Sequence, residues 1–256
     1  MDQARAMSDT GPREGLNSME KIKVYDLPTR IFHWLFAALF IAAFFIAKTI
    51  DDDSPVYSYH MLLGLTLAFS VILRAIWGFF GSRYARFSSF VLNPVDLVSY
   101  AKNLLTSKTQ RYLGHNPASS WAALVMMGLS LGLATTGYFM AQDVNKEFFE
   151  EIHELFANTF IIVAIAHVAG IIFHTIRHRE IIGLSMLHGK KDPVEGQPGM
   201  QKSHFGTAVL FVALIGTFVF YLNKNYNTAT QELNFFGKIL TLGENENADT
   251  QDGDDD

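Results

Sequence analysis

The chain has 256 residues, 49% of them apolar and only 18% charged, with a net charge of −5. It contains no cysteine, which excludes a covalently attached c-type haem, a thiolate-held iron–sulfur cluster and any disulfide. The negative balance gives no basic excess for nucleic acid, and histidine is left as the natural ligand for any redox cofactor.

Residues 1–20 are polar and charged without an apolar stretch, so they are expected to form a flexible arm rather than a signal peptide. Five apolar runs follow, at about 31–48, 57–80, 119–141, 153–176 and 205–222. A bilayer core of ~30 Å takes about 20 helical residues, with ~17–25 the usual range, and all five runs qualify. The expected class is an all-α, polytopic membrane protein. Pro28, with Thr29 and Arg30 after it, suits the start of the first helix, because proline is tolerated in a first turn. Run one could act as an uncleaved signal-anchor, since Phe45-Ile46-Ala47 lacks the paired small residues that cleavage prefers.

A short turn, Asp51 to Pro55, leads into run two. The loop 81–117 is longer, and within it Asn93-Pro94-Val95-Asp96 opens an amphipathic interfacial helix through about Leu105. Run three carries Gly128, Gly132 and Gly137 among Ala122, Ala123, Ser130 and Ala134. Such small residues let either a neighbouring helix or a flat ring approach closely. A Gly/Pro/Lys linker at 187–203 precedes run five, and residues 223–256 form an acidic tail ending in Asp254, Asp255 and Asp256.

Lysine and arginine set the orientation. Arg5, Arg13, Lys21, Lys23 and Arg30 precede run one; Arg83, Arg86, Lys102, Lys108 and Arg111 follow run two; Arg177, Arg179, Lys190, Lys191 and Lys202 follow run four. The other side holds Lys48, Lys146, Lys224 and Lys238. Positive loops stay cytoplasmic, which puts the N-terminus inside and the C-terminus outside. The outer segments are acidic instead, with Asp51, Asp52 and Asp53 in one and Asp143, Glu147, Glu150 and Glu151 in the other. They are either solvated loops or a docking surface for a basic soluble electron carrier.

Four histidines, His33, His60, His153 and His167, lie inside or at the edge of these runs. Hydrocarbon disfavours ionisable groups, so each needs a partner. From His153 to His167, steps of roughly 100° return to within about 40° of the starting direction while climbing ~21 Å. Two imidazoles on one face at two depths suit two stacked haems. His60 and His153 both lie near the outer ends of their runs. His33 lies ~24 Å from the outer surface and His167 ~28 Å, comparable once tilt is allowed. Depth therefore pairs His60 with His153 and His33 with His167.

His174 competes with His167 but lies a further ~10 Å inward, where it could instead help bind a quinone or a haem propionate. His178 is further still, among Arg177 and Arg179. Bis-histidine ligation leaves no open site on iron and so favours electron transfer. Arg74, towards the inner end of run two, either snorkels to the headgroups or pairs with an inner haem propionate. Trp34, Trp77 and Trp121 are expected as interfacial belt residues.

The stretch Asp26-Leu27-Pro28-Thr29-Arg30-Ile31-Phe32-His33-Trp34 resembles the opening of the bacterial cytochrome b561 and nickel–iron hydrogenase b-type subunit family. Glu151 to Asn158, with His167-Val168-Ala169-Gly170, resembles that family's fourth helix, and Met186-Leu187-His188-Gly189-Lys190-Lys191 its following basic motif. The resemblance covers about residues 20–192. It implies a four-helix transmembrane bundle with two b haems, in a bacterial inner membrane, exchanging electrons between the quinone pool and an outer-face partner such as a c-type cytochrome or a hydrogenase-like subunit. The family's ligand pattern carries over to His33, His60, His153 and His167, with Arg74 a further candidate for cofactor binding.

The expected organisation is an arm (1–20), a di-haem domain (21–192), a linker with a fifth transmembrane helix (193–222) and an acidic periplasmic tail (223–256). Two other functions compete. One is a stand-alone quinone-linked oxidoreductase acting on a small substrate such as superoxide. The other is a metal or proton transporter, which would want carboxylates among the histidines; only Glu154 stands beside one.

Overall fold

The computed structural model describes residues 20–106, 111–178 and 181–243. The arm expected at 1–20, all but its last residue, and the tail beyond 243 lie outside the described residues. In chain order the elements are β1 (Ile22–Lys23), α1 (Leu27–Thr49), α2 (Ser58–Phe80), α3 (Pro94–Thr106), α4 (Pro117–Met140), α5 (Lys146–His178), α6 (Ser185–His188), β2 (Lys190–Lys191), α7 (Phe205–Asn225), β3 (Tyr226–Asn227), β4 (Glu232–Phe235) and β5 (Lys238–Thr241). Helices α1, α2, α4, α5 and α7 are long and apolar enough to cross a membrane, and each covers one of the predicted runs, α2 and α4 all but one terminal residue of theirs. The chain is a multi-pass helical membrane protein. Helix α5 begins earlier than its apolar run because the acidic stretch before His153 is also helical. At ~1.5 Å per residue it is longer than a ~30 Å bilayer core requires.

The helix starts follow from local chemistry. Asp26 caps α1, its Oδ1 accepting from Thr29 N at 2.9 Å, with Pro28 in the first turn. Asn116 caps α4 in the same way, accepting from Ser119 N at 2.8 Å ahead of Pro117. Each cap satisfies one of the free N–H groups of a first turn. Asp26 also ties α1 to α2, because its Oδ2 accepts from Trp77 Nε1 at 2.9 Å. Trp77 is therefore turned into the protein, packing on His204 and Phe211, and is not the belt residue expected from its position.

The bundle is built from α1 on α2, α2 on α4 and α4 on α5, with α7 laid against α1 and α2. Its centre is Phe36, Leu39, Leu67, Val71, Met127 and Phe160. Phe160, 1% exposed, stacks on Phe40 at 3.8 Å and Phe36 at 5.8 Å between ring centres. It stands seven residues from both His153 and His167, so this stack lies between the two histidine levels. Of the glycines in α4, Gly132 serves helix packing: a Cβ there would come within 2.6 Å of the Phe156 ring on α5.

Two ends of the bundle differ. At the basic end β1 pairs with β2, and Gly189, in the left-handed region at φ 76°, lets the chain turn so that its carbonyl accepts from Val24 N and Tyr25 N. Arg30 and Trp34 hold the same segment by donating to Leu187 O and Met186 O. At the acidic end β3, β4 and β5 form an antiparallel meander. The first part of the tail, expected as solvated acidic chain, is thus folded here. Leu233 and Leu240 are fully buried against Leu62, Leu65 and Leu222, and that apolar contact is what holds it down.

Candidate functional site

At the acidic end, His60 on α2 and His153 on α5 face each other, with ring centres 6.1 Å apart and planes 63° from parallel. His60 Nδ1 is 2.9 Å from the carbonyl of Ala43, which can only accept, so Nδ1 carries the proton. His153 Nδ1 is 2.8 Å from Thr136 Oγ1. That hydroxyl donates its own hydrogen back to the carbonyl of Gly132 or Leu133, both at 3.0 Å, so it accepts from the imidazole. Both rings are therefore held in the tautomer that leaves Nε2 as a free lone pair. Gly137, the residue after Thr136, lies close to the His153 ring: a Cβ there would touch Met61 Sδ at 3.6 Å and the imidazole at 3.7 Å.

At the basic end a cavity of about 850 Å³ opens between α1, α4 and α5, with α3 and the loop before α4 along its rim. That volume is in the range of cofactor-sized sites. His33, His167, His174 and Arg74 all line it. The depth pairing of His33 with His167 thus places both on one cavity, and His174 shares it.

Arg74 does not snorkel. It is 4% exposed, with its guanidinium between the rings of Phe32 and Phe87 at 5.9 and 5.6 Å and Nη2 donating to Ala85 O at 2.9 Å. The segment 82–90 folds back over α2 and supplies Ala85 and Phe87, while α1 supplies Phe32, which removes the reason to reach for headgroups. Nη1 remains buried without an acceptor. Trp121, also expected in the interfacial belt, instead lines the cavity with a buried, unpartnered Nε1. Trp34 is half-exposed and keeps an interfacial place.

Two residues of the site were not read from the sequence. Thr136 is one of several hydroxyl residues in run three, and only the α4–α5 packing reveals its imidazole partner. His115 lies in a polar loop where a histidine is unremarkable, yet it lines the cavity with its Nδ1 shielded from solvent. Glu154, the carboxylate beside His153, is exposed and accepts from Asn158.

Comparison with known proteins is in line with this geometry. The profile of the family described as prokaryotic cytochrome b561 matches residues 24–189. A probable Ni/Fe-hydrogenase B-type cytochrome subunit of Rhodobacter capsulatus is 21% identical over 236 residues, covering 74% of this chain and 89% of that protein. The similarly named protein of Rhizobium leguminosarum bv. viciae is 23% identical, covering 67% and 89%. A probable Ni/Fe-hydrogenase 1 B-type cytochrome subunit of Escherichia coli (strain K12) is 25% identical over a shorter stretch, 45% of this chain and 58% of that protein. No solved structure matches. Five membrane-length helices, opposed histidines and the family profile lead to one conclusion: the chain belongs to the prokaryotic cytochrome b561 family, as a membrane-embedded b-type cytochrome that binds haem and transfers electrons.

Proposed function

We propose that the chain holds two b haems, one between His60 and His153 and one between His33 and His167. In this reading it passes electrons between the quinone pool and a hydrogenase-like partner at the outer face of the bacterial inner membrane. The observation that carries the reading is the pair of fixed tautomers at the acidic end. Two imidazoles each bonded through one nitrogen to a shared metal at ~2.0–2.1 Å have ring centres roughly 6 Å apart, and the His60–His153 separation is 6.1 Å. Histidines that ligate metal commonly donate their other N–H to a carbonyl or similar acceptor, as these two do to Ala43 O and Thr136 Oγ1. Haem b supplies reversible one-electron chemistry. With two imidazoles holding each haem, the iron would have no open site for substrate, which favours electron transfer over catalysis at iron.

The protein's residues divide the remaining work. Ala43 and Thr136 orient the acidic-end imidazoles. Arg74 offers its unpartnered Nη1 to a carboxylate at the basic end. Phe36, Phe40 and Phe160 keep the space between the two levels apolar and dry. The relatives' names support a hydrogenase-like partner, and Asp51 to Asp53 with Glu147, Glu150 and Glu151 give the acidic end a charge that suits a basic docking face, whether that of such a subunit or of a c-type cytochrome.

The test is a reduced-minus-oxidised spectrum of the purified chain with haem counted per protein, repeated on single variants. Two low-spin haems are expected in the wild type. His60→Ala and His153→Ala should lose the same one, and His33→Ala and His167→Ala the other. A chain in which His174→Ala removes a haem and His167→Ala does not would defeat the basic-end pairing.

A further inference from the structure

The basic-end cavity contains an imidazole that the ligand pairing leaves unused. His115 stands just before α4, tilted against Phe90 at 4.6 Å and edge-on to Tyr25 at 5.6 Å between ring centres. Its Nδ1 is buried with no hydrogen-bond partner. Burial first, then the neighbouring cations Arg74 and Lys191, pushes its pKa down to about 3, so the ring is neutral at pH 7.

Its cationic neighbours share the same need. Arg74 keeps one buried N–H group without an acceptor. Lys191 lies 5.2 Å over the Tyr25 ring and donates to Gly114 O at 3.1 Å, an arrangement that leaves ammonium hydrogens for another acceptor. The nearby acids are committed elsewhere. Asp26 accepts from Thr29 N and Trp77 Nε1 and acts on Arg74 through its charge without a hydrogen bond to it, and Asp192 pairs with Lys21 and Arg111. A buried guanidinium nitrogen and a buried imidazole nitrogen without partners are unfavourable unless something supplies one. All three groups line the cavity that His33 and His167 also line.

We infer that His115, Arg74 and Lys191 form the seat for a propionate carboxylate of the basic-end haem. The inference rests on His33 and His167 as that haem's ligands and extends it to the residues that fix the rim of the ring. A carboxylate has lone pairs for several donors at once, and charge-assisted hydrogen bonds are the strong ones. A quinone carbonyl is also an acceptor but carries no charge to balance Arg74 and Lys191, so the cationic wall favours the propionate.

The experiment uses the full-length chain in detergent, stripped of haem and refilled either with haem b or with its dimethyl ester, which lacks the carboxylate charges. With haem b, His115→Ala and Lys191→Met are each expected to release one haem roughly ten- to a hundredfold faster than wild type, the loss typical of a hydrogen bond to a charged group. His115→Asn, which keeps a donor, should recover part of this. The haem lost in His60→Ala should be unaffected in these variants, which reports that the bundle is folded. With the ester, wild type and both variants should release alike, because the side chain and the carboxylate act as a pair. Equal release with haem b would overturn the proposal, and so would a difference that persists with the ester. Variants that keep both haems but lose the spectral response to a quinone analogue would assign the seat to quinone and overturn it equally. A wild-type chain that takes up only the acidic-end haem would instead defeat the His33–His167 pairing, and that is visible before any of these variants is made.

Discussion

His153 shows how much of a cofactor site rests on a neighbour's hydrogen. Thr136 uses its own hydrogen on the α4 backbone and receives the one on His153 Nδ1, which leaves Nε2 free for the iron of the proposed acidic-end haem. Thr136→Val keeps the shape and removes the acceptor. Loss of such an outer partner costs roughly 10–100-fold in metal affinity, so the acidic-end haem should dissociate faster by about that factor while the basic-end haem does not. Thr136→Ser should restore wild-type retention. Stopped-flow transfer of haem to an apo-globin acceptor measures both. If Val and wild type release haem equally, His153 takes its orientation from packing alone. The four histidines themselves were legible in the sequence, because an ionisable side chain stands out in an apolar run and helical rise converts its position into depth. Thr136 and His115 were not. Their significance comes from which helix packs where, and so does the burial of Arg74, since Phe32 on α1 and the turn after α2 close over it only in the folded bundle.

Among the elements, the transmembrane helices were readable to within a few residues, and α1, α3 and α4 open at Asp26, Asn93 and Asn116 as their side-chain chemistry requires. The meander at the acidic end was not anticipated, because the acidic composition of the tail outweighed a short alternation. Glu232-Leu233-Asn234-Phe235 and Lys238-Ile239-Leu240-Thr241, joined through Phe236-Gly237, carry the period-two pattern of a hairpin. Asp26 allows a test at this level, since it both caps α1 and holds Trp77 on α2. Asp26→Ala should lower stability by about 0.5–2 kcal/mol for the cap and further for the Trp77 N–H left without its acceptor. Asp26→Asn keeps an oxygen for one donor and should fall between. Thermal unfolding in detergent, followed by circular dichroism, ranks the three; an unchanged midpoint in Asp26→Ala would show that the tie between α1 and α2 contributes nothing. Gly132→Ala offers an independent check. Its Cβ would meet the Phe156 ring at 2.6 Å, and overpacking of this kind costs typically about 1–3 kcal/mol.

The whole molecule is asymmetric along the bundle axis, and that asymmetry distinguishes the two ends at which redox partners could meet it. One end carries the basic loops around 81–116 and 182–204 and the large cavity; the other carries the acidic turns and the folded meander. In the proposed orientation, argued from the excess of lysine and arginine, the basic end lies in the cytoplasm. Five crossings would then put the meander on the outer face, where a partner docked on the acidic end would stand nearest the His60–His153 pair. The chain's lack of cysteine makes this directly measurable, since any thiol introduced is the only one present. Asp52→Cys, in the turn between α1 and α2, and Thr228→Cys, in the meander, are both exposed positions. In spheroplasts each should react with a membrane-impermeant maleimide, whereas Lys102→Cys on α3, also exposed, should react only after the membrane is opened. The opposite pattern would turn the bundle over. The partner would then meet the basic-end cavity first, and the acidic end would face the cytoplasm, where the outer-face docking assigned to it could not occur. Labelling at both ends in intact spheroplasts would mean that the charge bias does not impose a single orientation on this chain.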